Sequence, residues 1–346
     1  MRNASLLFLV SAGAVSGLAG GDPAAAADVS APTVDLSIYR QVVEVWFVVA
    51  DLDRTVNYWE RLGLRNIRRI GTEEAHPIGN RGGRSPFTVK MARGQIGDVE
   101  IVWVEPGKGA GEFNRFLTRH GDGVHHLTFA VKSQEELEKQ VQYFRSKGVP
   151  VMMEGKWKGL QGERHFVYLD TAERGGGITY ELAFNTGVPA SVPSQNEEPF
   201  NKLTQYAFVA HDLKRVGTFY ENLGFGSMPL SYITNLDRNY RGTPGNFEMY
   251  IGYWRWGTVN FEWIQSAVGP SVFEEYLKKR GEGLHHLAFN VTDLDAAVAK
   301  MEAKGLKVAQ SGRFDYPKNK GRFAYIDTEP GCGVMIEFNW HQPLKP

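Results

Sequence analysis

The sequence predicts an α+β fold built from four copies of one unit, in which a short strand is followed by a helix and then by several strands. Two observations support this prediction. Four times along the chain, a short apolar run leads into a capped amphipathic helix that stops at a glycine. Two of the four strands begin with nearly the same sequence, GDGVHHLTFAV at 121–131 and GEGLHHLAFNV at 281–291. The 346 residues are therefore expected to form two duplicated domains of two units each.

The first and third units carry the same helix signals. Asp51 and Asp212 each follow an apolar run, and aspartate is a residue type that caps helix N-termini. Gly63 and Gly224 are expected to end the two helices, because glycine readily adopts the left-handed conformation found there. Between these signals, apolar residues recur at the spacing of a buried helix face: Leu52, Val56 and Trp59 in the first helix, and Leu213, Val216 and Tyr220 in the third.

The second and fourth units begin their helices with a different signal. Ser133 followed by Glu136 has the capping-box pattern, and Thr292 followed by Asp295 is expected to act in the same way. Each helix is followed by further strand-like runs, of which the clearest are 99–106, 165–170, 178–184, 259–265, 322–327 and 334–340. Every unit is therefore predicted to have the order strand, helix, strands.

The first 27 residues have the pattern of a secretory signal peptide. Arg2 is followed by an apolar run over 6–18 and then by four alanines at 24–27, which provide an Ala-x-Ala cleavage site. A membrane anchor would need about 20 apolar residues without such a break. We therefore expect cleavage after Ala27 and export of the mature chain, periplasmic or secreted, with no membrane association afterwards.

The rest of the chain is expected to divide at one linker. The segment TGVPASVPSQNEEP at 186–199 lies between the second and third units and is rich in Pro, Ser and Asn, which is typical of a linker. The predicted organisation is an N-terminal segment at 28–39, a first domain at 40–185, this linker, and a second domain at 200–342.

The composition narrows the class of partner. The 39 Lys and Arg residues balance the 39 Asp and Glu residues, so no excess charge favours nucleic acid or an anionic membrane. Cys332 is the one cysteine, so an internal disulfide cannot form and the cores must stabilise the fold. Neither nucleic acid nor an anionic membrane surface is therefore the expected partner.

These motifs resemble those of the vicinal oxygen chelate superfamily, which includes glyoxalase I, methylmalonyl-CoA epimerase, extradiol dioxygenases and bleomycin-resistance proteins. The resemblance rests on the two GxGxHH segments and on the closing runs Asp170–Glu181 and Asp327–Glu337, which are most similar to glyoxalase I and the epimerase. It covers 40–342 and implies four βαβββ units, two per domain, each pair forming a cupped mixed sheet with helices outside. It also implies a divalent metal ion (Zn, Ni, Co, Mn, Fe or Mg) inside the cup and a small-molecule substrate as the partner.

The resemblance further implies which residues would be metal ligands. In the second domain the matching residues are Gln205, Glu262, His286 and Glu337. The family's chemistry gives Glu337 or Glu262 the catalytic role of the base that removes a proton. In the first domain the matching residues are Glu44, His126 and Glu181, with Val102 in the fourth place. Valine cannot bind a metal, so this site is expected to be incomplete or altered, with Glu100 as the alternative ligand.

The first histidine of each HH pair is expected to lie outside the metal site, on the opposite face of the sheet. Successive side chains of a regular strand point to opposite faces of the sheet. His125 and His285 are therefore predicted to face the helices, away from His126 and His286, as packed or hydrogen-bonded core residues.

Three functions are consistent with this site. The first is a metal-dependent lyase or isomerase that abstracts a proton next to a metal-bound carbonyl, as glyoxalases and epimerases do. The second is an extradiol-type ring-cleaving dioxygenase, which is disfavoured because it needs two His and one carboxylate and Gln205 stands where a His is required. The third is a non-catalytic small-molecule-binding protein of the bleomycin-resistance type. Sites within a domain, sites formed by exchange of units, and a homodimer all stay open.

Overall fold

We describe a computed structural model of the chain. The predicted signal peptide at 1–27 and residues 186–195 of the predicted linker lie outside the described residues, so export and the linker stay predictions. Within the described part of the chain, no helix combines the length and the apolar character needed to cross a bilayer. The structure describes residues 33–80, 84–159, 162–185, 196–256, 259–317 and 319–342.

The elements of the first domain follow the predicted order. Its described strands are β1 (Glu44–Val48), β2 (Arg68–Asn80), β3 (Phe87–Ile96), β4 (Val99–Pro106), β5 (Gly123–Ala130), β6 (Val151–Gly159), β7 (Gly162–Leu169) and β8 (Thr179–Asn185). Its described helices are α1 (Leu52–Leu62), α2 (Gly111–His120), α3 (Gln134–Ser146) and α4 (Ala172–Gly175), and a 3₁₀ helix at Leu36–Arg40 precedes them.

The first sheet closes into a barrel. Its strand order is β1-β4-β3-β2-β6-β7-β8-β5, and β5 pairs with β1 to complete the circle. The long strand β2 makes this closure possible, because it pairs with β3 and also with β6. Glu74 and Ala75 have partners on both sides, so the backbone ladder is continuous where the two halves of the barrel meet.

The second domain repeats this arrangement with one difference. Its described strands are β9 (Gln205–Val209), β10 (Leu230–Ile233), β11 (Leu236–Tyr240), β12 (Thr243–Pro244), β13 (Glu248–Trp256), β14 (Val259–Val268), β15 (Gly283–Asn290), β16 (Val308–Tyr316), β17 (Asn319–Ile326) and β18 (Met335–His341). Its described helices are α5 (Leu213–Asn222), α6 (Val272–Arg280), α7 (Leu294–Glu302) and α8 (Glu329–Cys332).

The second sheet curls without closing its backbone ladder. Its strand order is β10-β13-β14-β9-β15-β18-β17-β16-β11-β12. Strands β10 and β11 are consecutive in the chain but pair with β13 and β16 respectively. Thr234 and Asn235 are the link between them, so the two ends of the sheet must lie close together. We call this link the seam of the second domain.

The helix signals in the sequence correspond to the observed helix ends, with one exception. Asp51 caps α1 through a bond to the Arg54 backbone, and Ser133 caps α3 through a bond to the Glu136 backbone. The predicted cap Thr292 is wrong: Asp293 caps α7 instead. Thr292 is unavailable because its backbone N–H and hydroxyl both bind the Glu198 carboxylate.

Alternating strand residues separate an outer core from an inner one. In β1, Val45 and Phe47 pack outside with the helices, whereas Trp46 and Val48 face the interior of the barrel. Helices α2 and α6 cover one end of their sheets, because their phenylalanine side chains pack with inward-facing strand residues. The interior of each sheet is therefore reached from the end opposite to these helices.

The domains meet through matching elements. Helix α4 of the first domain contacts α5 of the second, and α1 contacts α8 in the reciprocal way. His120 and Arg280, which are equivalent by sequence, meet where α2 contacts α6: Arg280 Nη1 donates to the His120 carbonyl at 2.6 Å, and His120 Nδ1 lies 2.6 Å from the Arg280 carbonyl. The two domains thus pack as a pseudo-symmetric pair.

Candidate functional site

Four neighbouring strands bring the second-domain ligand candidates together. Strands β14, β9, β15 and β18 are adjacent and contribute, in this order, Glu262, Gln205, His286 and Glu337. Ala207 pairs with both Glu262 and His286, and Ala288 pairs with both Gln205 and Glu337. Directly paired residues project to the same face of a sheet. All four side chains therefore face the interior.

These four side chains form a chain of polar contacts, which we call the second-domain cluster. Gln205 Nε2 donates to Glu262 Oε2 at 2.7 Å and lies 3.4 Å from His286 Nε2. His286 Nε2 lies 3.3 Å from Glu337 Oε2. Asn339 Nδ2 donates to the same Glu337 oxygen at 3.0 Å. The contacts run in strand order across the sheet.

The prediction for His285 and His125 is wrong about the face. A β-bulge shifts the register of β15 against β9, and His285 is the additional residue. Its imidazole therefore lies next to that of His286, with 2.9 Å between the two Nδ1 atoms. The same bulge in β5 places the Nδ1 atoms of His125 and His126 2.8 Å apart. Both bulged histidines are buried.

This contact orients the ring of His286. Burial and then the neighbouring imidazole hold the pKa of His285 well below its usual range, so His285 is neutral. Since the Nδ1 atoms of the two rings share one proton, Nε2 of His286 is directed at the cluster. Such an outer partner fixes the orientation of a ligand imidazole.

The carboxylates of the second-domain cluster carry an uncompensated charge. Burial and then the charge of Glu337 raise the pKa of Glu262 to about 8. Within the described residues, neither carboxylate forms an ion pair with Lys or Arg, and the one charged contact of Glu337 is to His286. Burial, Glu337 and Glu262 likewise raise the pKa of Tyr325 well above its usual range. The site therefore favours an added positive charge or a proton.

A cavity of about 760 Å³ opens onto this cluster. Gln205, Glu262 and Glu337 line its base. Its walls combine polar side chains with aromatic and aliphatic ones, the latter including Ile251, Tyr253, Phe314, Tyr316, Phe323 and Tyr325. The volume lies within the roughly 300–1,000 Å³ of small-molecule sites.

The first-domain candidates come together around an arginine that sequence reasoning missed. Arg164 of β7 donates from Nη1 to Glu44 Oε1 and from Nη2 to Glu181 Oε2, both at 2.7 Å. His126 Nε2 lies 3.2 Å from the same Glu181 oxygen. All four residues are buried. Arg164 thus lies between the two carboxylates at the level where a metal ion was expected, and we call the four residues the first-domain cluster.

The arginine changes the electrostatics of this cluster. Burial is the largest single influence and raises the pKa of Glu44 and of Glu181. Arg164, together with Arg93 at Glu44 and His126 at Glu181 and with hydrogen bonds, outweighs burial and holds the pKa of both below its usual range. Trp46 Nε1 also donates to Glu44 Oε2 at 2.7 Å. The two carboxylates are therefore ionised and already paired, in contrast to those of the second domain.

Large side chains fill the rest of the first barrel. Val102 pairs with Trp46 across β4 and β1, at the positions that Glu262 and Ala207 hold in the second domain. The Trp46 ring stacks on His126 with 5.0 Å between centroids. The alternative ligand Glu100 is engaged elsewhere, since Arg93 Nη1 donates to its Oε2 at 2.5 Å.

A sequence signal for Arg164 existed. Tyr168 and Tyr325 occupy equivalent places, because each pairs with the cluster glutamate of the next strand. Four residues before these tyrosines stand Arg164 in the first domain and Gly321 in the second. Comparing these two strands, in addition to the strands with expected ligands, would have found the arginine.

The donor chemistry of the second-domain cluster fits a divalent cation. Two carboxylates, an imidazole and an amide oxygen form a ligand set that such ions accept. Consecutive members lie 2.7–3.4 Å apart, and ligand atoms that share an ion at about 2.1 Å are about 3.0–3.4 Å apart. In the described parts of the chain, no three or more His, Cys, Asp or Glu already have the arrangement of a metal centre. Binding therefore requires Gln205 to turn its amide oxygen inwards and the carboxylates to rotate.

Each cluster forms within one domain. Gln205 contacts both Glu262 and His286 of its own sheet, and Glu44 and His126 lie with Glu181 of the first sheet. The exchanged arrangement, with Gln205 opposite His126, is not what the structure shows. A homodimer stays a prediction.

Comparison with known proteins gives one family. The model of the Glyoxalase/Bleomycin resistance protein/Dioxygenase superfamily matches residues 44–195 and 204–325. The uncharacterized protein YqjC of Bacillus subtilis (strain 168) is 23% identical over 138 residues, which are 40% of this chain and 90% of that protein.

Solved structures share the fold at low identity. A triple mutant of 4-hydroxymandelate synthase from Streptomyces coelicolor is 16% identical with a TM-score of 0.58, and the match covers 88% of this chain and 94% of that one. A catechol 2,3-dioxygenase is 15% identical with a TM-score of 0.48, and the match covers 88% and 90% of the two chains. At such identities the likeness concerns the fold alone.

Proposed function

Because the chain belongs to the glyoxalase/bleomycin resistance protein/dioxygenase superfamily, we propose that its second domain is a divalent-metal-dependent active site for a small molecule. One observation carries this proposal. Two carboxylates, an imidazole and an amide meet at the base of a cavity of about 760 Å³ without an Arg or Lys partner among the described residues. In the first domain, by contrast, Arg164 pairs with both carboxylates of the cluster, Glu44 and Glu181.

The proposed chemistry is proton transfer, as in a lyase or isomerase. Gln205, Glu262, His286 and Glu337 would hold the ion, which when bound makes a substrate carbonyl a better electron sink. Glu262 is the group we assign as base. Both carboxylates border the cavity, but among the described contacts Glu262 accepts one side-chain hydrogen bond, from Gln205, whereas Glu337 contacts both Asn339 and His286.

The position of the second carboxylate supports transfer in two steps. Glu262 and Glu337 lie on β14 and β18, with two strands between them. They therefore reach the cluster from its two sides, and one can remove a proton while the other returns it. The aromatic walls of the cavity limit access of water to the reacting carbon.

The oxygenase alternative has a different requirement. The solved structures of similar fold include 4-hydroxymandelate synthase, whose name describes an activity of that protein. An extradiol-type centre needs two imidazoles and one carboxylate. Here one imidazole, that of His286, reaches the cluster, and Gln205 occupies the place of the other.

Metal analysis of purified protein tests the proposal. We expect about one divalent ion per chain after dialysis against buffered metal, and at least about 100-fold weaker binding in Glu337→Gln. Glu302→Gln, which changes an exposed glutamate of α7, is the matched control and should bind as the wild type does.

The outcomes separate the three functions. A metal-replete protein without stoichiometric metal would refute the enzyme proposal and favour a binding protein. Metal binding together with oxygen consumption on catechol-type compounds would instead support the oxygenase. The proton-transfer reaction would be supported by metal binding together with exchange of solvent deuterium into a carbonyl compound at the carbon next to the carbonyl group. This exchange should occur with the wild type and not with Glu262→Gln.

A further inference from the structure

A ring of polar side chains lies between the second-domain cluster and solvent. On the open side of the cluster, an inward-facing asparagine follows on three of its strands: Asn260 and Asn339 two residues from Glu262 and Glu337, and Asn290 four residues from His286. Asn290 pairs with Asn339 across β15 and β18, and Arg255 pairs with Asn260 across β13 and β14. We call Arg255, these three asparagines and His341 the mouth, since all five line the cavity.

The charges of the mouth are positive and unpaired. Arg255 is exposed and stacks over the Tyr253 ring, with 5.6 Å from its guanidinium carbon to the ring centroid. Lys202 also lines the cavity beside the mouth. Within the described residues, neither cation has an ion pair with a carboxylate. The acidic residues that line the cavity are the two at its base, Glu262 and Glu337.

The first domain shows that the mouth is not a requirement of the fold. Ala130 and Ala183 form the strand pair there that Asn290 and Asn339 form in the second domain. Gln95 and Glu100 form the pair equivalent to Arg255 and Asn260. The first domain, whose interior is filled, therefore has two alanines and an acid at the positions of the three asparagines, and an uncharged glutamine at the position of Arg255.

We propose that the mouth binds an oxyanion of the substrate, a carboxylate or a phosphate, while the rest of the molecule enters the aromatic part of the cavity. Arg255 offers a planar donor fork that matches either group, and the asparagine amides add donors. Two residues along a strand span about 6.6 Å. The oxyanion is therefore about 7 Å from the cluster at Asn260 and Asn339 and about 13 Å along the strand at Asn290. The substrate class is a small organic acid or phosphate ester with an apolar middle. This inference rests on the proposed function, because it takes the cavity as the substrate site.

Three probe compounds on one scaffold test the inference. We would measure, by calorimetric titration, the binding of 3-phenylpropanoate, its methyl ester and 2-phenylethyl phosphate to the full chain in the presence of EDTA. Chelation removes any metal–carboxylate bond, so the result does not depend on whether the metal proposal is correct. We expect both anions to bind about tenfold more tightly than the neutral ester.

Variants assign the preference to the mouth. Arg255→Gln and Asn290→Ala should each remove most of the tenfold preference; the second substitution installs the alanine that the first domain has naturally. Arg119→Gln, an exposed arginine of α2, is the matched control and should keep it. The two anions distinguish the ligand source: tighter binding of the phosphate indicates a phosphate ester, and tighter binding of the acid a carboxylate. Equal binding of acid and ester, no binding of any probe at millimolar concentration, or an unchanged preference in Arg255→Gln would overturn the inference.

Discussion

The two domains treat their buried, inward-facing carboxylates in different ways. In the first, Arg164 donates to Glu44 and Glu181, and bulky rings fill the remaining space. In the second, Gly321 stands at the position of Arg164, and Glu262 and Glu337 border a cavity of about 760 Å³ without an Arg or Lys partner among the described residues. A buried pair of carboxylates requires a cation, and the comparison teaches that the chain can supply this cation internally or leave its place open to a ligand.

The largest effect is expected from removing the internal cation. Arg164→Ala leaves Glu44 and Glu181 buried without a counter-charge, which typically costs about 3–5 kcal/mol of the free energy of unfolding. Urea unfolding of the wild type and of the variant would measure this loss of free energy of unfolding. The control is Arg322→Ala, which breaks an exposed ion pair of the second domain, 2.9 Å from Arg322 to Asp295. It should lower the free energy of unfolding by less than about 1 kcal/mol. Equal losses in the two variants would show that Arg164 does not stabilise the first domain.

The pH dependence of stability should have opposite signs in the two clusters. Glu262 has a folded pKa of about 8, above its usual 4.5, so the folded state holds an additional proton between these values. The metal-free protein should therefore lose about 2–3 kcal/mol as the pH rises from 4.5 to 8, less than the full shift gives because Glu262 borders the cavity. Glu44 and Glu181 have lowered pKa values, so their contribution is lost as the pH falls below about 4.5.

Glu262→Gln separates these two contributions. In this variant the free energy of unfolding should no longer fall as the pH rises above 4.5, whereas its fall at acid pH should be unchanged. Urea unfolding in EDTA at several pH values would measure both. A wild-type protein whose stability is constant from pH 5 to 8 would contradict the assignment of the raised pKa to Glu262.

The smallest effect tests whether the place of Gly321 is enforced. A Cβ at Gly321 would lie 2.1 Å from the Trp340 carbonyl oxygen and 2.5 Å from Phe314 Cζ. Gly321→Ala should therefore cost about 1–3 kcal/mol through overpacking. Gly111→Ala at the start of α2, where the nearest atom is 3.6 Å away, should be neutral or slightly stabilising. If the two substitutions have the same effect, the fold of the second domain does not require a glycine at position 321.

Local patterns were sufficient to predict the helices and the four-fold repeat. Asp51 and Ser133 cap helices where expected, because a cap depends on residues within one turn. The second-domain cluster was also predictable. The four units repeat the same strand positions, so Gln205 could be matched with Glu44 and with the ligand position that the family resemblance implies. The face of His285 was not, because a bulge depends on how β15 meets β9 and leaves no local signature. Arg164 was missed because the search for metal ligands compared only positions that could hold an acid, an amide or a histidine. An arginine that takes the place of the ion does not belong to that set.

The seam at Thr234 and Asn235 gives the second domain a mechanical property that the first lacks. Its strands β10 and β11 are held by β13 and β16 and not by each other. Widening the sheet at this place breaks no backbone hydrogen bond, whereas β2 of the first barrel would have to release Glu74 or Ala75 from a partner. The four strands that carry the cluster lie in the middle of the sheet, far along the ladder from the seam. A change in the width of the second sheet at its edge would therefore leave the spacing of the cluster residues unchanged.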